Sequence, residues 1–132
     1  MQSQLVAVAA NEMRDAIAET GSVALYGIQF DFDSAKILPA SRPALDEIGK
    51  LLQENAALSL HVVGHTDNAG TLDYNLDLSR QRAESVVRDL VSTYGIDRGR
   101  LAAHGVGFLA PVASNEEESG RALNRRVELV AR

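Results

Sequence analysis

Apolar residues recur along this chain in two different periods, and the switches between them divide it into elements. Leu5, Val6, Ala9, Met13 and Ile17 fall at helical spacing, which predicts a short amphipathic helix with Gly21 as its stop. Residues 1–22 therefore read as an N-terminal helix or a linker. From Tyr26 the period drops to two: Tyr26, Ile28, Phe30 and Phe32 alternate with Gly27, Gln29, Asp31 and Asp33, as in a half-buried strand that ends in aspartates. Pro39, Ser41 and Pro43 punctuate the chain next. Leu45, Ile48, Leu51 and Leu52 then return at three and four residues, predicting a helix capped by Ser41 that runs to about Asn55.

The second half repeats the alternation of elements. Leu58, Leu60 and Val62 alternate with Ser59, His61 and Val63 in a second strand, stopped by Gly64 and the loop from His65 to Gly70. A long helix follows from near Asp73, with Leu76, Ala83, Val86, Val87, Leu90, Val91 and Tyr94 as its core stripe and Gly95 just past the last apolar turn. Leu101 to His104 suit a short strand. Residues 105–125, with Gly105, Gly107, Pro111 and Gly120, read as a long surface loop with room for a turn of helix. Val127, Leu129 and Ala131 close the chain with a strand. The order β-α-β-α-β-β predicts an α/β (α+β) sandwich, a small mixed sheet with its helices packed on one face. Residues 23–132 form that single domain.

Composition narrows the function. Thirteen Lys and Arg against 18 Asp and Glu give a net charge of -5 in a chain of 132 residues, the wrong sign for a nucleic-acid backbone binder. Cysteine is absent, which removes disulfides, thiolate metal sites and cysteine nucleophiles. No apolar run approaches the roughly 18 residues of a spanning helix. The first twenty residues carry acids where a secretory signal has a basic region, so the expectation is either a cytosolic protein or a piece of a longer exported chain.

The informative chemistry lies between Gly64 and Leu90. Asn75, Leu78 and Arg82 share one face of the long helix, and Asp67 sits in the loop leading into its N-terminus. An acid and a guanidinium fork converging there suit a zwitterion: the carboxylate of an amino acid takes Arg82, and its ammonium takes Asp67. The alternative is that Arg82 and Asp67 pair with each other, or with Glu84 and Asp77, in solvent. His61, His65 and Asp67 form an HxxxHxD pattern, but strand geometry separates the two histidines by more than about 10 Å, too far for one metal ion. His65 is instead expected to hydrogen-bond and hold the loop before Asp67. Arg125 and Arg126, beside the terminal strand, are expected to anchor the chain end or pair with Asp31 or Asp33, the alternative being contact with wall carboxylates. Glu116, Glu117 and Glu118 suit a solvated loop. There is no GxSxG, no phosphate-cradling glycine loop and no histidine matched to Ser79, so no cofactor, no metal and no catalytic group is expected.

Four segments carry a resemblance. FDFDSAKI (Phe30 to Ile37), GHTDNAG (Gly64 to Gly70), NLDLSRQRAESVVRDL (Asn75 to Leu90) and GRALNRRVEL (Gly120 to Leu129) resemble, in order and spacing, the OmpA-like C-terminal domain over roughly residues 26–131. The third segment fits the family pattern NxxLSxxRAxxVxxxL at every specified position. Members of that family are non-catalytic periplasmic modules of outer-membrane proteins, peptidoglycan-associated lipoproteins and flagellar stator proteins, and they bind the cell wall non-covalently. The resemblance implies meso-diaminopimelate of the peptidoglycan stem peptide as the ligand. Asp67 and Arg82 are then its principal contacts, with Asn75, Leu78, Thr66, Phe30 and Asp31 around the pocket. It also implies a longer parent, an outer-membrane protein or lipoprotein. Two other functions stay open: a wall-cleaving or metal-dependent hydrolase using His61, His65 and Asp67, and a module that recruits a protein partner through its 105–125 loop and N-terminal helix.

Overall fold

Val62 and Leu129 stand opposite each other in the middle of the sheet, both fully buried, and every other element is arranged around that pair. The computed structural model describes residues 7–132; Leu5 and Val6, assigned by spacing to the first helix, lie outside the described residues. The elements are α1 (Ala10–Thr20), β1 (Ser22–Leu25), α2 (Arg42–Glu54), β2 (Leu60–His65), α3 (Leu72–Tyr94), β3 (Leu101–Gly105), α4 (Glu118–Asn124) and β4 (Arg126–Ala131). The sheet runs β1-β4-β2-β3, with β4 antiparallel to both neighbours and β3 parallel to β2. The result is an open, mixed α+β sheet, as the alternating periods predict.

One face of the sheet makes the core. Val23, Leu25, Leu60, Val62, Val127 and Leu129 point into it, and α2 and α3 cover them with Leu45, Ile48, Leu51, Leu52, Val86, Val87 and Leu90. Met13 and Ile17 of α1 join the same cluster, and Gly21 ends that helix in the left-handed conformation (φ 89) expected of its stop. Truncating a buried leucine of this set to alanine should cost about 2–5 kcal/mol.

The first strand is not where the alternation puts it. Ser22–Leu25 forms β1, whereas residues 26–38 make an irregular turn with one bridge, Phe30 to Ile37. The cause is local. The Ser41 hydroxyl accepts from Gln29 N–H (2.7 Å) and donates to Gln29 C=O (2.9 Å), so that side chain takes the place of a neighbouring strand. Ser41 therefore precedes α2 without capping it by a side-chain bond. Asp33 adopts φ 56, and the turn that results leaves Phe32 92% exposed. The 105–125 loop also holds more than expected, since α4 runs two turns within it.

Backbone contact between α3 and the sheet sets the site. A Cβ at Gly64 would stand 2.3 Å from the Ser79 carbonyl oxygen, and one at Gly105 would stand 2.2 Å from Arg80 N. Only glycine in both strands lets the helix lie this low. The buried Ser79 hydroxyl completes the contact, donating to Leu76 C=O and accepting from Gly107 N–H.

Candidate functional site

Low packing of α3 brings its first turns over the C-terminal end of β2, where the chain leaves the sheet. Between them and the 26–38 turn lies a cavity of about 560 Å3. Asp67, Arg82, Asn75, Leu78, Thr66 and Phe30 all line it. Asp31 does not; its carboxylate accepts from Phe32 N–H (2.9 Å) and shapes the turn from outside.

Arg82 crosses from α3 to that turn. Its Nε donates to the Ser34 carbonyl (2.8 Å), one terminal nitrogen approaches the Asp31 carbonyl (3.5 Å), and the guanidinium carbon sits 5.0 Å from the centroid of the Phe30 ring. Burial holds Arg82 below the usual guanidinium value, Asp33 and Asp67 pull it back up, and Arg125 opposes them. It stays a cation, oriented on three sides. Of the alternatives open from sequence, neither is met: Asp77 pairs with Arg80 and Glu84 with Arg98.

Asp67 is equally fixed. One carboxylate oxygen accepts from Ala69 N–H (3.0 Å), and the other meets Arg125 at 2.8 Å. Its loop is closed by Asn75, whose amide donates to the carbonyls of Ala69 (2.7 Å) and Thr71 (2.9 Å), while the Thr71 hydroxyl caps α3 by accepting from Tyr74 N–H. Thr66 is held from behind, its N–H donating to the Gly107 carbonyl (2.9 Å). Asn75 and Thr66 thus support the loop as well as lining the cavity.

Arg125 pairs with Asp67 and Glu118, not with Asp31 or Asp33, because it lies on the helix side of the sheet just before β4. The Arg125 guanidinium lowers the proton affinity of Glu118, and Glu118 raises that of Arg125. Alternation back from the inward Val127 puts residue 125 on that side, so the signal was present in the sequence. His65 does not hydrogen-bond to hold the loop. It is 7% exposed, its ring nitrogens have no partner among the described residues, and Nε2 stands 3.4 Å from a Glu128 oxygen without a bond. Glu128 divides its carboxylate, with Oε2 on the Arg126 guanidinium at 2.6 Å and Oε1 facing His65. Arg126 does anchor the chain, donating to the carbonyls of Asn124 and Ala110.

Sequence comparison decides the family, because the OmpA family matches residues 29–125. The chain belongs to the OmpA family. It is 42% identical over 113 residues to outer membrane porin F of Pseudomonas aeruginosa, covering 86% of this chain and 32% of that protein. Among solved structures, the OmpA-family fold is shared with the peptidoglycan-associated lipoprotein of Burkholderia pseudomallei (TM-score 0.71, 32% identity, 86% of this chain and 92% of the other). It is shared as well with the cell wall anchor of the T6SS from Pseudomonas aeruginosa (TM-score 0.71, 32% identity, 95% and 98%). The chain spans from about a third to half the length of the curated relatives it matches (32%, 46% and 51% for three of them). No helix among the described residues is long and apolar enough to cross a membrane.

Proposed function

We propose that this OmpA-family domain is a non-catalytic module that binds peptidoglycan on the periplasmic side of the envelope, as part of a longer outer-membrane protein or lipoprotein. The ligand is the diaminopimelate residue of the stem peptide. Its free end carries one amine and one carboxylate, and the cavity sets a carboxylate, Asp67, and an oriented guanidinium, Arg82, among charged lining residues that also include Asp33, Arg125 and Arg126. That pairing in a single cavity is the observation that carries the reading. The names of relatives support it, one being a peptidoglycan-associated lipoprotein and another a cell wall anchor.

Arg125 refines the chemistry. A ligand ammonium at Asp67 shares that carboxylate with Arg125, and Glu118 supplies the second partner that keeps Arg125 neutralised as it yields. Phe30, Leu78 and Tyr26 give the walls between the charged ends an apolar surface for the ligand's methylene chain. Co-sedimentation with purified sacculi tests the function: the domain pellets with the wall and releases no soluble fragments. Release of muropeptides, or a domain that stays in the supernatant, would overturn it.

A further inference from the structure

The sheet has a second face, and it carries chemistry unrelated to the cavity. Leu60, Val62 and Leu101 turn into the core, so their neighbours in β2 and β3 turn outward, among them His61 and His104. The strands are parallel and adjacent, with His61 paired in register to Ala102 and Val63 to His104. Across that diagonal the two imidazoles meet, ring centroids 4.8 Å apart and planes tilted by 54°. His61 Nδ1 lies 2.9 Å from His104 Nε2.

We propose that His61 and His104 form a two-point clamp for a divalent transition-metal ion, Cu2+ or Ni2+, on the outward face of the sheet. Two nitrogens bound about 2.05 Å from a metal at a right angle are roughly 2.9 Å apart, whereas a tetrahedral ion sets them at roughly 3.3 Å. The observed separation is that of an N–H···N hydrogen bond and lies close to both values, so the two nitrogens can reach one ion with little movement, and among divalent ions Cu2+ and Ni2+ rank highest for imidazole ligands. Both histidines sit on the regular backbone of paired strands, so the donors are brought together before any ion arrives. In the neutral pair one ring N–H fills the gap between the nitrogens. A bound ion takes both lone pairs, the N–H proton passes to the other nitrogen of the same ring, and no net proton is lost. Among the described residues no group of three or more metal-ligating side chains occurs, so the clamp supplies two ligands and leaves the remaining positions to water.

The chain has three histidines, and His65 is the buried one, so imidazole-dependent binding has one candidate pair. Titrating the protein with NiCl2 at pH 7.5 should show one ion per chain. H61Q or H104Q should each weaken binding at least tenfold, and the double variant should be no more than threefold weaker than either. Both positions face solvent, so circular dichroism of the variants should match the parent. Cu2+ bound to the unsubstituted protein should give an electron paramagnetic resonance spectrum with coupling to two imidazole nitrogens. Undiminished Ni2+ binding by either single variant overturns the proposal. So does a copper spectrum with fewer than two nitrogens, a readout that does not depend on how the variants fold.

Discussion

At the scale of single residues, the candidate site over-determines two charges. Arg82 is held by a carbonyl, an aromatic face and its own helix, and Asp67 by a backbone N–H and Arg125. D67N keeps the shape and the Ala69 contact but removes the charge. The paired Arg125 is partly exposed and keeps Glu118, so unfolding free energy should change by less than about 1 kcal/mol. Wall binding should nevertheless fall more than tenfold, as co-sedimentation across a concentration series would show. R82K is the complementary case. Lysine keeps the charge but lacks the fork and the Nε donor to Ser34, so binding should drop by about tenfold or more, an amount set by one lost charged hydrogen bond of about 1.5–3 kcal/mol. Wild-type affinity in R82K would mean that Arg82 acts as a bare charge.

At the scale of elements, the height of α3 above the sheet decides whether those two residues face each other. Gly64→Ala forces a methyl group into the Ser79 carbonyl, and α3 must rise or the strand must shift. Overpacking of this kind costs about 1–3 kcal/mol. It should also weaken binding, because Arg82 moves with the helix and away from the Ser34 carbonyl of the 26–38 turn that orients it. Gly21→Ala is the control. That glycine has φ 89 but nothing within 4 Å of its would-be Cβ, so the substitution should cost about 1 kcal/mol in a urea melt and leave binding untouched. If G64A binds like the parent protein, helix height does not tune the site.

Elements also show what was legible beforehand. The long helix, its Gly95 stop, the second helix to Asn55 and the closing strand follow from apolar spacing, because each buries one face of a regular element against one core. The 26–38 turn misleads for a physical reason. Its apolar and polar residues alternate as in a strand, yet Ser41 and Asp31 satisfy its backbone locally, and Phe32 faces water. Ser22–Leu25 hides because four residues with a small Ala24 carry little pattern. At the site, Asp67, Arg82, Asn75 and Leu78 were within reach of helix geometry. Alternation reaches the side of the sheet on which Arg125 lies, but its partner Asp67 and the contact of Arg82 with the Ser34 carbonyl depend on contacts spanning 48 residues or more.

At the scale of the whole molecule, one buried group links stability to pH. Burial pushes His65 below its ordinary value, the Arg126 charge adds to this, and Glu128 opposes both. The unfolded chain therefore binds a proton near pH 6.5 that the folded chain refuses, so stability falls as pH drops below that value and levels off under the folded-state pKa. H65Q should flatten this part of the pH profile in urea melts between pH 7.5 and 5. An unchanged slope would show that another group carries it.

The whole fold serves one purpose on this account: a rigid sheet and a low helix hold one acid and one arginine at a fixed separation for the two ends of a zwitterion. The most direct measurement is calorimetric titration of the domain with a diaminopimelate stem peptide and with its lysine counterpart, which lacks the terminal carboxylate. The account predicts binding at least tenfold weaker for the lysine peptide, with that preference reduced in R82K. Equal affinity for the two peptides in the unsubstituted protein would contradict it.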